Sequence, residues 1–208
     1  MALLATGAVV YVGLDRRAAD PPPRSSAQPT PSLSPSAPLR SVDLSHLPIE
    51  RQPFCDELAS DDVERALGSP VAGTYHYDDG DRRKITASLT DVAHEYNCTY
   101  AAADGTQARA WVFAQPVLPG VAAGLARDAV REPQCGRLEE APTFGTPAVA
   151  TVCRQRRPPA VAVTLSGLFG DAWLSCQLAT PAPGTVAATV TRADQWCVKV
   201  ATTLGARP

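Results

Sequence analysis

Six cysteines, the first at Cys55 and the last at Cys197, constrain this chain more than any other feature of it. An even set in a chain of this size reads as a disulfide framework formed in an oxidising compartment. Metal binding is the competing use of cysteine. No Cys-x-x-Cys occurs, and the successive spacings of 43, 37, 18, 23 and 21 residues are far from those of zinc ribbons or fingers. His46, His76 and His94 form no His-Glu-x-x-His. No cofactor is expected. Six cysteines allow fifteen pairings, and sequence alone does not choose among them. Local arguments favour Cys55–Cys98, Cys135–Cys153 and Cys176–Cys197. The first would tie an N-terminal helix to a central hairpin, the second would close an excursion between a helix and a strand, and the third would join two core-facing stripes.

The N-terminal part agrees with export. Residues 1–14 carry no charged side chain. Fourteen residues are too few to span a bilayer but fit the hydrophobic region of a signal peptide. The expected basic lead is missing, and Arg16 and Arg17 follow instead. A start lying upstream of this sequence would reconcile the two. Residues 1–19 are therefore read as a signal or anchor segment that brings the chain near a membrane. Residues 20–38 contain seven Pro and five Ser. They cannot bury enough apolar surface to offset chain entropy, so residues 20–41 are read as a disordered linker. The basic residues are 17 Arg against 2 Lys, with 35 Ala and 20 Pro, a bias typical of a high-GC bacterial genome. A net charge of -2 excludes an electrostatically driven nucleic-acid binder.

Residues 42–208 form one extracytoplasmic domain in this reading. Ser60 is placed as the cap of a helix over 61–67 that Gly68 and Pro70 end. Strands are expected at 71–77 and 84–90, flanking Asp78-Asp79-Gly80-Asp81. The alternation through Val92, His94, Tyr96, Cys98 and Tyr100 marks a half-buried strand. Asp104-Gly105 is read as a two-residue hairpin turn, which pairs Cys98 with Trp111 and Tyr96 with Phe113. A helix over 119–131 has Val121, Leu125 and Ala129 as its stripe. Strands follow at 148–153, 161–166 and 172–178, with Gly167 opening the turn between the last two. A final helix over 186–204 buries Val190, Ala193, Cys197, Val200, Ala201 and Leu204. The order is α-β-β-β-β-α-β-β-β-α, an α+β fold with three helices and a mostly antiparallel, disulfide-bonded sheet. Two similar halves, each strands followed by a helix, are suggested by that order.

Pro53-Phe54-Cys55-Asp56-Glu57-Leu58, running into a short helix ended by Gly68 after a leader and a Pro/Ser stalk, resembles a group of actinobacterial secreted and lipoprotein-type domains of unknown function. Those domains place a second cysteine on a strand, as Cys98 would be, and close with strands and a helix. The resemblance implies an extracytoplasmic location and supplies no catalytic residues. This chain lacks the lipid-attachment cysteine of many members and has four further cysteines.

Catalytic patterns are sparse. Gly-x-Ser-x-Gly is absent, since Ser166-Gly167 lacks the preceding glycine, and no phosphate-binding Gly-rich loop occurs. His94 and Glu95 would point to opposite faces of a strand, and His94 is expected to be buried beside Tyr96. Asp78-Asp79-Gly80-Asp81 lacks the alternate ligands of a calcium loop and reads as a solvated tip. Asn97-Cys98-Thr99 matches a glycosylation acceptor only by chance. Arg154, Arg156 and Arg157 are the densest basic cluster and the candidate binding residues, able to engage anionic groups. The expectation is a non-enzymatic binding or accessory domain of the cell envelope, membrane-anchored or secreted. Its partner would be an anionic lipid, a glycan or a protein. A small secreted hydrolase with dispersed catalytic residues is the alternative.

Overall fold

Period-two alternation assembles seven strands into one antiparallel sheet. The computed structural model describes residues 39, 42–44, 47–84 and 86–205. The leader, nearly all of the linker and His46 lie outside the described residues. The elements are α1 (Ser60–Leu67), β1 (Val71–Tyr77), β2 (Arg82–Lys84), β3 (Thr90–Val92), β4 (Glu95–Ala102), β5 (Gln107–Phe113), α2 (Pro119–Ala129), β6 (Cys135–Arg137), β7 (Ala148–Arg156), β8 (Pro159–Phe169), β9 (Ala172–Pro181) and α3 (Val186–Leu204). Seven strands form a sheet in the order β1-β4-β5-β9-β8-β7-β6, all neighbours antiparallel, while β2 and β3 make a separate ribbon. The class is α+β, with the three helices in their expected order and three-residue β3 and β6 added to the expected strands.

The sheet has one apolar face and one mixed face. On the first, α1 and α3 cover Cys98, Ala110, Val112, Val163, Leu165, Leu174, Cys176 and Leu178. Along α3, Ala193, Cys197, Val200, Ala201 and Leu204 are buried as expected and Val190 only partly, while Thr189, Asp194, Trp196 and Val198 are buried besides. The Trp196 indole donates to the Arg109 carbonyl at 3.0 Å. On the second face, α2 covers only one corner, against Val149, Leu168 and Trp173. The two halves contribute adjoining blocks of strands that meet at β5–β9, yet α2 packs on strands of the second half rather than its own.

The structure corrects several local expectations. Ala59, not Ser60, precedes α1, and it makes no side-chain cap. Residues 84–90 are not a strand. Thr86 Oγ1 accepts from the Ser88 and Leu89 amides, making the tip of the β2–β3 ribbon. The β4–β5 loop has three residues, not two: Ala102 N–H donates to Thr106 O, and Gly105 sits at φ 89°. One extra loop residue moves the register by one, so Cys98 faces Ala110, Tyr96 faces Val112 and Trp111 faces Asn97. Such a slip sends Trp111 and Phe113 to the second face, away from Cys98. In α2 the buried residues are Ala122 and Ala126; of the expected stripe Leu125 and Ala129 are partly buried beside them, whereas Val121 is exposed. His94 lies between β3 and β4 with its side chain 74% exposed, so it is not a core histidine.

Three disulfides join Cys55 to Cys98, Cys135 to Cys153 and Cys176 to Cys197. Gly167 is inside β8 rather than in a turn. A Cβ there would fall 1.6 Å from the Phe144 carbonyl oxygen, so glycine is what lets the 138–147 loop lie against the sheet.

Candidate functional site

The register of β4 and β5 decides what the second face displays. Glu95, Asn97 and Thr99 on β4 and Arg109, Trp111 and Phe113 on β5 alternate away from the core, and Tyr75 and Tyr77 on β1 join them. The β2–β3 ribbon rises beside this corner. Between ribbon and sheet is a cavity of about 370 Å³, lined principally by Tyr75, Tyr77, Arg83, Val92, Glu95 and Phe113. The Arg83 guanidinium stacks on Tyr75 at 4.5 Å and on Tyr77 at 5.1 Å, which holds the ribbon against β1.

Tyr77 and Glu95 of that lining belong to a polar network that runs on to Arg109 and Asn97. The Tyr77 hydroxyl donates to Glu95 Oε1. Arg109 Nη2 donates to Tyr77 Oη at 3.2 Å and lies 3.5 Å from Glu95 Oε1. Hydrogen bonds fix the Asn97 amide with its oxygen accepting from Arg109 Nε at 2.7 Å and Nη2 at 3.0 Å. Arg109 also stacks on Trp111 at 4.5 Å. Burial, followed by the neighbouring Glu95 carboxylate, pushes the Tyr77 phenol up to about 12. The phenol stays protonated and donating through neutral pH. Each member is committed to a neighbour, which suits a rigid recognition surface better than a proton shuttle.

Arg154, Arg156 and Arg157 sit at the exposed tip of β7–β8, at the far diagonal of the sheet, and do not join this network. They line a second cavity, about 700 Å³, together with Gln155, Gln177 and the Cys135–Cys153 pair. Sequence reading missed Arg83, Arg109 and the tyrosine pair. The usable signal was the polar member of each alternating pair, Arg109 between Ala108 and Ala110, once the loop is counted as three residues. Among the described residues no three His, Cys, Asp or Glu side chains are grouped to hold a metal ion. Asp78-Asp79-Gly80-Asp81 is a turn in which the Asp81 carboxylate accepts from the Asp78 amide at 3.0 Å.

No family model matches this chain, and no curated protein is detectably similar to it. No helix of the described residues is long and apolar enough to cross a membrane. Three disulfides are compatible with an oxidising compartment.

Proposed function

We propose that this is a non-enzymatic binding domain of the bacterial cell envelope, exported and either secreted or held near the membrane by its N-terminal segment. The observation that carries the reading is an aromatic cavity with a few fixed polar groups: Tyr75, Tyr77 and Phe113 line it, and its Tyr77 and Glu95 are paired with each other and with Arg109. Apolar walls with a few fixed polar groups are what a small-molecule or headgroup site requires. Arg83 and Lys84 at its edge are matched by Asp91 and Glu95, a mixed lining that suits an amphipathic envelope ligand, whether lipid or glycan. The exposed Arg154, Arg156 and Arg157 turn adds a second contact for anionic envelope material. The disulfides, the leader and the resemblance to actinobacterial secreted domains support the location.

Amide shifts on titration with phosphatidylglycerol vesicles and with peptidoglycan fragments test this. Perturbations at Tyr75, Tyr77, Arg83 and Phe113, lost in Arg83→Ala, are expected. Binding to anionic vesicles is expected to weaken at high salt and in the Arg154→Ala/Arg156→Ala/Arg157→Ala variant. Silence with both probes would overturn the site. Hydrolysis of an ester, peptide or glycan abolished by one point mutation would replace the reading with a small secreted hydrolase. Labelling of intact cells with a membrane-impermeant reagent tests export, and protection until lysis would refute it.

A further inference from the structure

The two edges of the seven-stranded sheet are finished differently. At one end β6 is three residues long and is crosslinked to β7 through Cys135–Cys153. At the other end β1 runs for seven residues with no Pro and none of the charged side chains that usually guard an edge. Residues 72–76 are all exposed. The backbone of β1 pairs with β4 on one side, and among the described residues nothing hydrogen-bonds to its other side. That side offers a row of unpaired N–H and C=O groups, the template for an added strand.

Alternation along β1 gives such a strand two different surroundings. Thr74 and His76 lie opposite Tyr100 and Cys98, on the face that α1 covers. Beside them, between β1 and residues 55–67, is a cavity of about 500 Å³ edged by Asp56 and Glu64. Its lining holds no Lys or Arg, and neither carboxylate is ion-paired with a described residue. Gly73, Tyr75 and Tyr77 lie on the other face, where a Cβ at Gly73 would meet nothing within 4 Å.

We infer that the outer edge of β1 docks an extended basic segment of another polypeptide, added as a further strand with Lys or Arg at every second residue. Main-chain hydrogen bonds give the affinity, and pockets for alternate side chains give the choice. Directly opposed residues share a face, so side chains opposite Thr74 and His76 fall on the Asp56 and Glu64 side. Those between fall beside Tyr75 and over Gly73, where apolar groups fit. Charge and backbone chemistry set aside two other occupants. Antiparallel two-fold pairing with a second copy brings both carboxylate pairs to one face with no cation to balance them. Residues 20–38 of this chain hold seven Pro, each without the N–H that a ladder uses. The inference does not rest on what the aromatic cavity binds.

Titration of the oxidised full chain with the amidated peptide Lys-Val-Lys-Val-Lys-Val-Lys, followed by amide shifts and hydrogen exchange, tests this. Shifts are expected along β1 and at Asp56 and Glu64, with slower exchange at the β1 amides that face away from β4. The same peptide with Glu in place of Lys is expected not to bind. N-methylation of the Val residues in one peptide and of the Lys residues in another blocks opposite edges of the added strand, and only one pattern is expected to abolish binding. Asp56→Asn/Glu64→Gln is expected to weaken binding roughly threefold to tenfold, the size of two exposed ion pairs. Thr74→Lys, at an exposed position, is expected to weaken it by placing a like charge on the edge. No response along β1 to the Lys peptide, equal binding of the Glu peptide, or indifference to both N-methylation patterns would overturn the inference. So would sedimentation of the chain alone as a dimer with its β1 amides already protected, which would give the edge to a second copy.

Discussion

Gly167 shows how much a single side chain can decide here. A methyl group at this position would meet the Phe144 carbonyl at 1.6 Å and Gly145 Cα at 3.1 Å, both of them backbone that cannot swing aside. Gly167→Ala is therefore expected to destabilise the fold by about 3 kcal/mol or more, the upper end of overpacking costs, read as a lowered denaturation midpoint. The tyrosines give a second residue-scale test. Tyr77 and Tyr100 are both pushed up to about 12, chiefly by burial, with Glu95 and Asp56 respectively as the neighbouring anions. A raised pKa means the fold favours the neutral phenol. That contribution is intact below the ordinary value of 10.0 and is lost as pH rises through about 12. Phenolate absorbance is expected to include two late-titrating groups, one of them missing in Tyr77→Phe, with stability falling across that window. Neither role was legible beforehand. Gly167 looked like turn punctuation because glycine also serves turns, and the burial of Tyr77 depends on a register that spacing alone left one residue off.

Elements were legible where periodicity was long and ambiguous where it was short. The 19 residues of α3 carry enough turns to fix their buried stripe, and the Thr185 side chain caps them by accepting from the Ala188 amide at 3.2 Å. In the 11-residue α2, alanines on one face and Val121 on the adjoining one offered two stripes, and the tight approach to Leu168 and Trp173 selected the alanines. Ala103-Asp104-Gly105 is the same kind of ambiguity in a turn. Asp-Gly suits a two-residue loop, but Asp104 instead accepts from the Thr106 amide at 2.8 Å and its hydroxyl at 3.1 Å, which places the left-handed glycine third. Those contacts also hold the Asp104 carboxyl below its ordinary pKa. The short helix α1 ends with support from outside itself. Arg192 of α3 donates from Nε at 2.9 Å and Nη2 at 2.7 Å to the Ala66 carbonyl, a group that no turn of α1 remains to satisfy. Arg192→Ala is expected to cost about 1.5–3 kcal/mol, the range for hydrogen bonds to charged groups. Amide exchange would rise first in α1 and leave the β8–β9 ladder protected. Uniform loosening of both would show that Arg192 acts on the whole core instead.

At the scale of the molecule, strand alternation was sufficient for the class and the helix order, and the disulfide pairing agrees with the local arguments for it. Cys55–Cys98 and Cys176–Cys197 join elements that share the main core, whereas Cys135–Cys153 spans two neighbouring strands at the sheet edge. What stayed open was the second face, where polar side chains alternate with core residues and only pairing across strands says which of them meet. The segment 49–51 is tied to later elements: Ile49 bridges Gly205, Glu50 N–H donates to Leu204 O at 2.9 Å, and Arg51 pairs with Asp171 at the β8–β9 turn. Cys55–Cys98 secures this wrap from the other side, closing 43 residues, while Cys135–Cys153 and Cys176–Cys197 close 18 and 21. Loop entropy alone assigns about 4 kcal/mol to the first and about 3 kcal/mol to each of the others. The native surroundings break the near-tie between the last two. Replacing Cys176 and Cys197 by alanine removes buried sulfurs from the core centre and leaves a void, whereas the half-buried Cys135 and Cys153 sites open to solvent. Paired alanine substitutions followed by chemical denaturation are thus expected to rank Cys135–Cys153 as the least costly loss. Removal of Cys176–Cys197 is expected to exceed its loop-entropy value, by about 1–2 kcal/mol for the cavity. Equal losses for the 18- and 21-residue loops would mean that the core closes over the missing sulfurs, and that chain entropy alone sets what each crosslink contributes.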